Sequence, residues 1–211
     1  MKKLILLLTI LTGLALADTP TITITAKNCD KDTPCFTIKE MATTLNKSVG
    51  KNISNAQSIA IVQNGIVTQF DFDVITRLAM GSNWKSATPE QQAKINIMFK
   101  QMLVNTYTSM LSKFKGASII ISDSNIIGDK QNKAVVLSTS TTYKDNKANT
   151  INIEYDLAKI GSTWKVYDVK LENISVITTY RSQFNDIIQK EGIDGLINLL
   201  QTKVDALKTN G

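Results

Sequence analysis

The spacing of apolar residues changes at Gly116, and this change constrains the fold more than any other feature of the sequence. Before Gly116, apolar residues recur at steps of three and four, which is the spacing of amphipathic helices. After it, several segments alternate apolar and polar residues or are rich in β-branched ones, which is typical of strands. A run of helices followed by a run of strands predicts an α+β fold.

Four helices are predicted before the change of period. They cover 36–51, 55–68, a short segment that ends at Gly81, and a long segment from Pro89 to Gly116. Asp71 can cap the third helix with its carboxylate. Thr88, Pro89 and Gln91 form the capping-box pattern that starts the fourth. Residues 18–34 show no such pattern, and we expect them to lack regular structure.

Four strands are predicted after Gly116, followed by two closing helices. The strands cover 117–122, 133–143, 149–159 and 163–171, and the helices cover 175–190 and 194–207. Polar turns separate the strands, so the simplest topology is an antiparallel meander. We therefore predict a four-stranded antiparallel sheet whose apolar face is covered by the helices.

The first 17 residues have the features of a cleaved signal peptide. Lys2 and Lys3 precede an apolar run, and the run ends in the small-residue pattern Ala15-Leu16-Ala17. An uncleaved anchor is the alternative, but the run is shorter than the about 20 residues that a membrane-spanning helix needs. We expect Asp18 to be the mature N-terminus and the mature chain to be periplasmic, with secretion as the alternative.

Composition removes several classes of function. The sequence contains no histidine, which excludes Ser-His-Asp and Cys-His catalysis and histidine-ligated metal sites within one chain. The net charge falls from +6 to about +4 without Lys2 and Lys3, which is mildly basic and unlike the clustered charge of a nucleic-acid binder. No later segment is long and apolar enough for a second membrane span, so any membrane contact is expected to be peripheral.

Cys29 and Cys35 are the two cysteines of the chain. In an oxidising compartment they can close a small disulfide loop, worth about 2 kcal/mol in the chain-entropy model. Their spacing differs from the C-x-x-C spacing of thiol oxidoreductases, which disfavours a redox-active pair. With two thiols, a four-thiolate metal site cannot form within the chain.

Three groups of carboxylates invite an enzymatic interpretation. Asp71 and Asp73 lie at an element boundary, where capping and solvation are the simpler explanation. Glu154 and Asp156 share the polar face of a strand and can hold a cation, although a solvated sheet face is the simpler alternative. Asp168 interrupts an apolar strand, so it either pairs with Lys or Arg or caps a neighbouring loop. No phosphate-binding loop, dinucleotide fingerprint or nucleophile elbow occurs, which favours a binding protein.

Several motifs occur in an order that resembles a known family. They are, in chain order, Phe70-Asp71-Phe72, Leu78-Ala79-Met80-Gly81 with Trp84, Thr88-Pro89-Glu90-Gln91, Leu103-Val104 with Thr106-Tyr107, the segment 164–169, Ile174-Ser175, the segment 180–184 and the segment 192–196. From about residue 36 to residue 203 the chain resembles the MlaC family of periplasmic phospholipid-binding proteins, also labelled toluene-tolerance or ABC-transporter auxiliary proteins. Residues 18–34 lie outside the resemblance.

The resemblance implies a carrier with no catalytic residues, no metal and no cofactor, whose cargo is phospholipid. Such a carrier exchanges lipid with an inner-membrane ABC lipid-transport complex and an outer-membrane lipoprotein complex, and it touches membrane surfaces transiently. This traffic maintains the lipid asymmetry of the outer membrane. The acyl chains are expected in an apolar cavity between the helices and a curved sheet, and residues 36–208 are expected to form a single lipid-binding domain after an N-terminal segment, 18–35.

Inward-facing positions of these elements are the candidate cavity residues. They are Phe72, Met98, Met102, Tyr107, Met110, Ile153, Tyr155, Trp164, Val166, Tyr180, Phe184 and Ile188. Arg77, Lys85 and Arg181 are the candidates for contact with partners or anionic membranes. The two arginines can hold phosphate or a partner carboxylate, with a surface ion pair as the simpler alternative.

Two other classes of function remain open on the sequence. A ligand-free periplasmic adaptor would have a filled core and would bind partners without lipid. A carboxylate-dependent hydrolase would depend on Asp168 or Asp71.

Overall fold

The computed structural model describes residues 21–49, 54–108, 114, 116–127, 132–144 and 147–209. The strands of this part are β1 (Thr23–Ala26), β2 (Ser118–Ile127), β3 (Lys133–Lys144), β4 (Lys147–Ile160), β5 (Thr163–Leu171) and β6 (Ile174–Ser175). Its α-helices are α1 (Pro34–Ser48), α2 (Asn55–Gly65), α3 (Phe72–Met80), α4 (Pro89–Thr108) and α5 (Val176–Thr209), with 3₁₀ turns at Val67–Gln69 and Gly81–Ser86. The predicted signal peptide, residues 1–17, lies outside the described residues. The α+β class is confirmed.

The sheet is larger than predicted, and it is mixed. Among the described residues it contains six strands in sequence order, whereas four antiparallel strands were expected. β1 adds to the edge of β2 in parallel, with Ile24 opposite Ile119, and β6 pairs with the end of β5. The expectation of an irregular 18–34 segment was therefore wrong for β1. This strand has four residues, too few to show a period, and its partner lies about ninety residues further along the chain.

The predicted helix starts are confirmed by their capping bonds. The Asp71 carboxylate accepts a hydrogen bond from the Val74 amide at 3.1 Å, which caps α3. At the start of α4 the Thr88 amide donates to the Gln91 side chain at 3.0 Å, and the Gln91 amide donates to the Thr88 hydroxyl at 3.2 Å. The reciprocal pair is the capping box that the sequence predicts.

The two predicted closing helices form one helical span, α5, with a break inside it. Gly192 has φ of 73° and ψ of −178°, which is not helical and lies in the region that favours glycine. The break separates the two predicted segments, 175–190 and 194–207. The α2 helix is shorter than predicted, because it ends at Gly65 and a 3₁₀ turn follows.

Two hydrophobic clusters form the core. The sheet cluster joins α1 to the inner face of the sheet, and it includes Ile38, Val136 and Trp164. The helical cluster joins α3, α4 and α5, and its centre is the ring of Phe99, which lies 4.9 Å from the ring of Phe184. Phe70 packs against both clusters. None of the described helices has both the length and the apolar character needed to cross a membrane.

Candidate functional site

An apolar cavity of about 270 Å³ lies between the sheet cluster and the helical cluster. Residues from both the helices and the sheet form its wall. The helical side includes Ile38 and Leu45 of α1, Ile66 and Phe70 of the segment after α2, Phe72 and Ile75 of α3, and Val104 and Tyr107 of α4. The sheet side includes Ile153 and Tyr155 of β4. Asp168 is the one charged residue among the described residues of the wall. Tyr107 and Leu171 are also exposed, which places them at the margin where the cavity meets the surface.

Local sequence patterns explain why these side chains face the cavity. In α1, Ile38, Met41, Ala42 and Leu45 are spaced at i, i+3, i+4 and i+7, so they form one stripe, and all four line the cavity. In β4, Ile153 and Tyr155 are two residues apart and share the inner face of the sheet. Residues of the stripe and of the strand together line the cavity.

The structure divides the predicted lipid-binding residues into three groups. Phe72, Tyr107, Ile153 and Tyr155 line the cavity. Met98, Met102 and Phe184 are buried in the helical cluster, and Tyr180 and Ile188 pack against it. Trp164 and Val166 are buried in the sheet cluster, and Met110 lies outside the described residues.

The predicted residues of α4 differ in position because this helix is apolar on two faces. Met98, Phe99 and Met102 pack in the helical cluster, whereas Val104 and Tyr107 line the cavity. Periodicity identifies positions that face inward, but it does not say which of two layers they meet. The α1 stripe was missing from the predicted cavity residues although its apolar spacing was recognised in the sequence.

Two buried serine hydroxyls lie in the mostly apolar wall of the cavity. Ser138 and Ser140 lie on the inner face of β3, and they are 4% and 2% exposed. Neither hydroxyl has a hydrogen-bond partner among the described residues, and both residues line the cavity. Burial raises the pKa of the neighbouring Tyr155 phenol. The Ser138 hydroxyl lies close enough to the phenol to oppose this effect, without forming a hydrogen bond of ordinary length and angle.

Asp168 caps α5. Its Oδ1 accepts hydrogen bonds from the amides of Val169 at 2.8 Å and Ile177 at 3.2 Å, and its Oδ2 accepts one from the Ser175 hydroxyl at 2.6 Å. Of the two roles that the sequence left open, the structure shows capping, and no described lysine or arginine forms an ion pair with this carboxylate. Asp71 caps α3, so both carboxylates of the hydrolase hypothesis hold helix starts.

The two carboxylates on β4, Glu154 and Asp156, are paired with a lysine side chain. Lys170 forms ion pairs with Glu154 and with Asp156, the latter at 3.2 Å. The hydrogen bond to Glu154 raises the pKa of Lys170 to about 12. Burial raises the pKa of Asp156, although Lys170 opposes this effect. No group of three or more metal-binding side chains occurs among the described residues.

The three candidate contact residues are exposed, and they lie near the C-terminal end of α3 and beside it. Arg77 is in the last turn of α3 and Lys85 is in the 3₁₀ turn that follows. The Nε of Arg181 donates a hydrogen bond to the Leu78 carbonyl at 2.8 Å, which holds α5 against the end of α3. A Cβ added to Gly81, which has φ of 57°, would lie 3.6 Å from the Arg181 side chain.

A disulfide joins Cys29 and Cys35, whose Cα atoms are 5.2 Å apart. Both cysteines are buried in the sheet cluster. The Trp164 indole donates a hydrogen bond to the Asp32 carbonyl inside the closed loop at 3.1 Å. The loop therefore rests on the end of the sheet, and neither cysteine lines the cavity.

A known protein family matches most of the chain. The family described as MlaC protein matches residues 37–202. The toluene tolerance protein ttg2D of Pseudomonas putida is 27% identical over 125 residues, which are 59% of this chain and 56% of that protein. The intermembrane phospholipid transport system binding protein MlaC of Haemophilus influenzae is 23% identical over 142 residues, which are 67% of this chain and 65% of that protein. Both matches span less than two thirds of the relative's length.

A solved structure matches the fold more completely. It is the phospholipid-binding protein from Ralstonia solanacearum in complex with a phospholipid, and it has a TM-score of 0.72 and 29% sequence identity with this chain. The match covers 83% of this chain and 99% of that one.

Proposed function

Because this chain belongs to the MlaC family, we propose that it is a periplasmic phospholipid carrier. It encloses acyl chains in the cavity between its two core clusters, and it shuttles lipid between an inner-membrane ABC lipid-transport complex and an outer-membrane lipoprotein complex. This exchange maintains the lipid asymmetry of the outer membrane. The observation that carries the proposal is the apolar cavity, in a fold that is similar to a protein solved with a phospholipid.

The chain is proposed to act after loss of its first 17 residues. Residues 36–208 are proposed to form the lipid-binding domain. The N-terminal segment 18–35 contributes β1, which extends the sheet, and the disulfide loop. The domain needs no metal or cofactor for this role, because the carrier makes and breaks no covalent bond.

The energetics of lipid transfer explain what the cavity contributes. A free phospholipid crosses water slowly, because each exposed methylene costs about 0.8 kcal/mol. The cavity wall replaces water with side chains such as Ile38, Ile66 and Ile153. Since the cavity and a bilayer are both apolar, moving a chain between them is close to neutral, and the affinities of the partners set the direction of transfer.

The charge of the cavity wall indicates whether the headgroup of a bound phospholipid lies inside or outside the cavity. The described lining residues include no lysine or arginine, and Asp168 is the one carboxylate. A phosphate inside the cavity would have no cation to pair with, and burying such an unpaired charge is costly. The headgroup is therefore proposed to stay outside, so selectivity among headgroups should be weak. Recovery of a single headgroup class from the purified protein would contradict this.

Docking to partners or anionic membranes is proposed to use Arg77, Lys85 and Arg181. All three are exposed, and none forms an ion pair within the described residues. Long cationic side chains of this kind raise the rate of encounter with a negative surface. Replacing all three by glutamine should slow lipid exchange with anionic vesicles at low salt but leave it unchanged with neutral ones.

A transfer experiment tests the function directly. Purified protein is mixed with donor vesicles that contain a labelled phospholipid and with unlabelled acceptor vesicles, and transfer is followed with and without the protein. The proposal predicts transfer that increases with protein concentration. No transfer by folded protein, together with tight binding to a partner, would favour the ligand-free adaptor instead.

A further inference from the structure

Ser138 and Ser140 are polar groups that the fold itself does not use. Both hydroxyls are buried, and neither forms a hydrogen bond of ordinary length and angle among the described residues, although the Ser138 hydroxyl lies beside the Tyr155 phenol. The two residues pair with Ile121 and Ile119 of β2 and with Ile153 and Ile151 of β4, so isoleucines flank them in the sheet. A buried hydroxyl without a partner destabilises a fold, and alanine or valine would fill these positions without that cost.

The position of the two hydroxyls indicates that a ligand satisfies them. Both residues line the cavity. Since they are two residues apart on one face of a strand, they are about 7 Å apart along the wall. Each hydroxyl is a neutral hydrogen-bond donor, so together they present two donors in a wall that is mostly apolar.

We propose that Ser138 and Ser140 donate hydrogen bonds to the ester carbonyls of a bound diacyl phospholipid, so that the cavity favours ester-linked over ether-linked lipids. The inference rests on the proposed function and deepens it. The ester carbonyls are neutral acceptors of such a lipid. Their two ester groups are attached to adjacent carbons of the glycerol, so the two carbonyl oxygens lie within a few ångströms of each other and can meet two donors on one strand. The phosphate is a poorer candidate, because the described lining offers it no cation.

Tyr155 adds a third polar group at the same place. It lies on β4, diagonal to Ser138 across the β3–β4 pair, and it lines the cavity. Its phenol is neutral at physiological pH, because burial raises its pKa further above the ordinary value. Tyr155 therefore adds another neutral donor beside the serines, and the group as a whole remains suited to an uncharged acceptor.

The test compares two lipids on the same protein variants. The probes are diacyl and dialkyl phosphatidylglycerol with equal chain lengths, and their binding to the purified protein without its first 17 residues is measured by titration. Wild-type protein should bind the diacyl lipid more tightly. Ser138→Ala and Ser140→Ala should each weaken binding of the diacyl lipid about fivefold, as the loss of one net hydrogen bond predicts. Neither variant should change binding of the dialkyl lipid.

Thr139→Val is the matched control. Thr139 lies between the two serines on the opposite face of β3, where its hydroxyl donates to Asn152 at 3.3 Å. The substitution removes a hydroxyl from the same strand without touching the cavity, so binding of both lipids should stay unchanged. The serine variants should also resist urea at least as well as wild type, because each loses an unpaired buried hydroxyl.

The outcomes distinguish the proposed ester-binding subsite, formed by Ser138 and Ser140, from the carrier function as a whole. Equal binding of both lipids by wild type, with no effect of the serine substitutions, would overturn the subsite and leave the carrier function intact. If folded protein binds neither lipid, the carrier function fails and the subsite fails with it.

Discussion

Asp168 accepts a hydrogen bond from the Ser175 hydroxyl at 2.6 Å, and the same hydroxyl accepts one from the Thr178 amide at 3.0 Å. The carboxylate also binds the Ile177 amide. Two side chains in series therefore satisfy the first amides of α5. Asp168 and Ile177 also line the cavity, so this cap lies at one boundary of it.

Asp168→Ala should lower the free energy of unfolding by about 2 kcal/mol, since it removes a helix cap and leaves buried donors without a partner. Asp168→Asn keeps one acceptor oxygen and should lose less. Urea unfolding measures both, and Asp186→Ala, at an exposed position of α5, is the control. A hydrolase would show a different pattern, in which Asp168→Asn abolishes turnover and leaves stability unchanged.

Val104→Glu should empty the cavity, because it places a charge in the wall where acyl chains are proposed to lie. We expect lipid uptake from vesicles to fall at least tenfold. Ile97→Glu is the matched control, since Ile97 is on the same helix, is 59% exposed and does not line the cavity. Equal uptake by the two variants would count against this assignment of the cavity.

Glu154 and Asp156 should differ in their effects although both bind Lys170. Glu154→Gln should destabilise the fold by about 0.5–1 kcal/mol, because it removes the stronger partner of a partly exposed ion pair. Asp156→Asn should cost less or even stabilise, because burial disfavours the ionised form of Asp156. Urea unfolding at neutral pH compares the two, and a larger loss for Asp156→Asn would contradict this ranking.

The ion pairs of Lys170 also predict how the free energy of unfolding depends on pH. The folded state raises the pKa of Lys170 to about 12, so its contribution is complete below the unfolded value of about 10.5 and is lost as pH rises toward the folded value. Asp156 acts at the acidic end. Because its folded pKa is raised, its ionisation lowers stability as pH rises above about 4. In Asp156→Asn this acidic contribution should disappear from a stability profile measured against pH.

Removal of the disulfide should lower the free energy of unfolding without affecting lipid uptake. The bridge closes a loop between residues six positions apart, and loops of this length give about 2 kcal/mol in the chain-entropy model. Cys29→Ala combined with Cys35→Ala should lose that amount in urea unfolding. Lipid uptake should remain, since neither cysteine lines the cavity; its loss would show that the N-terminal loop shapes the site.

The elements with strong local signals were predictable from the sequence. The capping box at Thr88 and the cap at Asp71 fixed two helix starts, because these bonds form between residues three apart. β1 and β6 were missed, because short edge strands depend on a partner elsewhere in the chain and not on their own period.

The cavity was predictable in character but only partly in its residues. Tyr155 and Phe72 were identified from inward-facing patterns, and both line it. Met102 has the same helical spacing, yet it packs into the helical cluster, because α4 is apolar toward two layers. The partnerless hydroxyls of Ser138 and Ser140 had no sequence signal, since alternating serines on a strand usually mark a solvated face.

The most direct test of the carrier account is mass spectrometry of the organic extract from the natively purified protein, with Val104→Glu and Ile97→Glu purified alongside. The account predicts close to one phospholipid per protein in wild type and in Ile97→Glu, and little in Val104→Glu. Folded wild-type protein that carries no phospholipid, and that also takes none from vesicles, would contradict it.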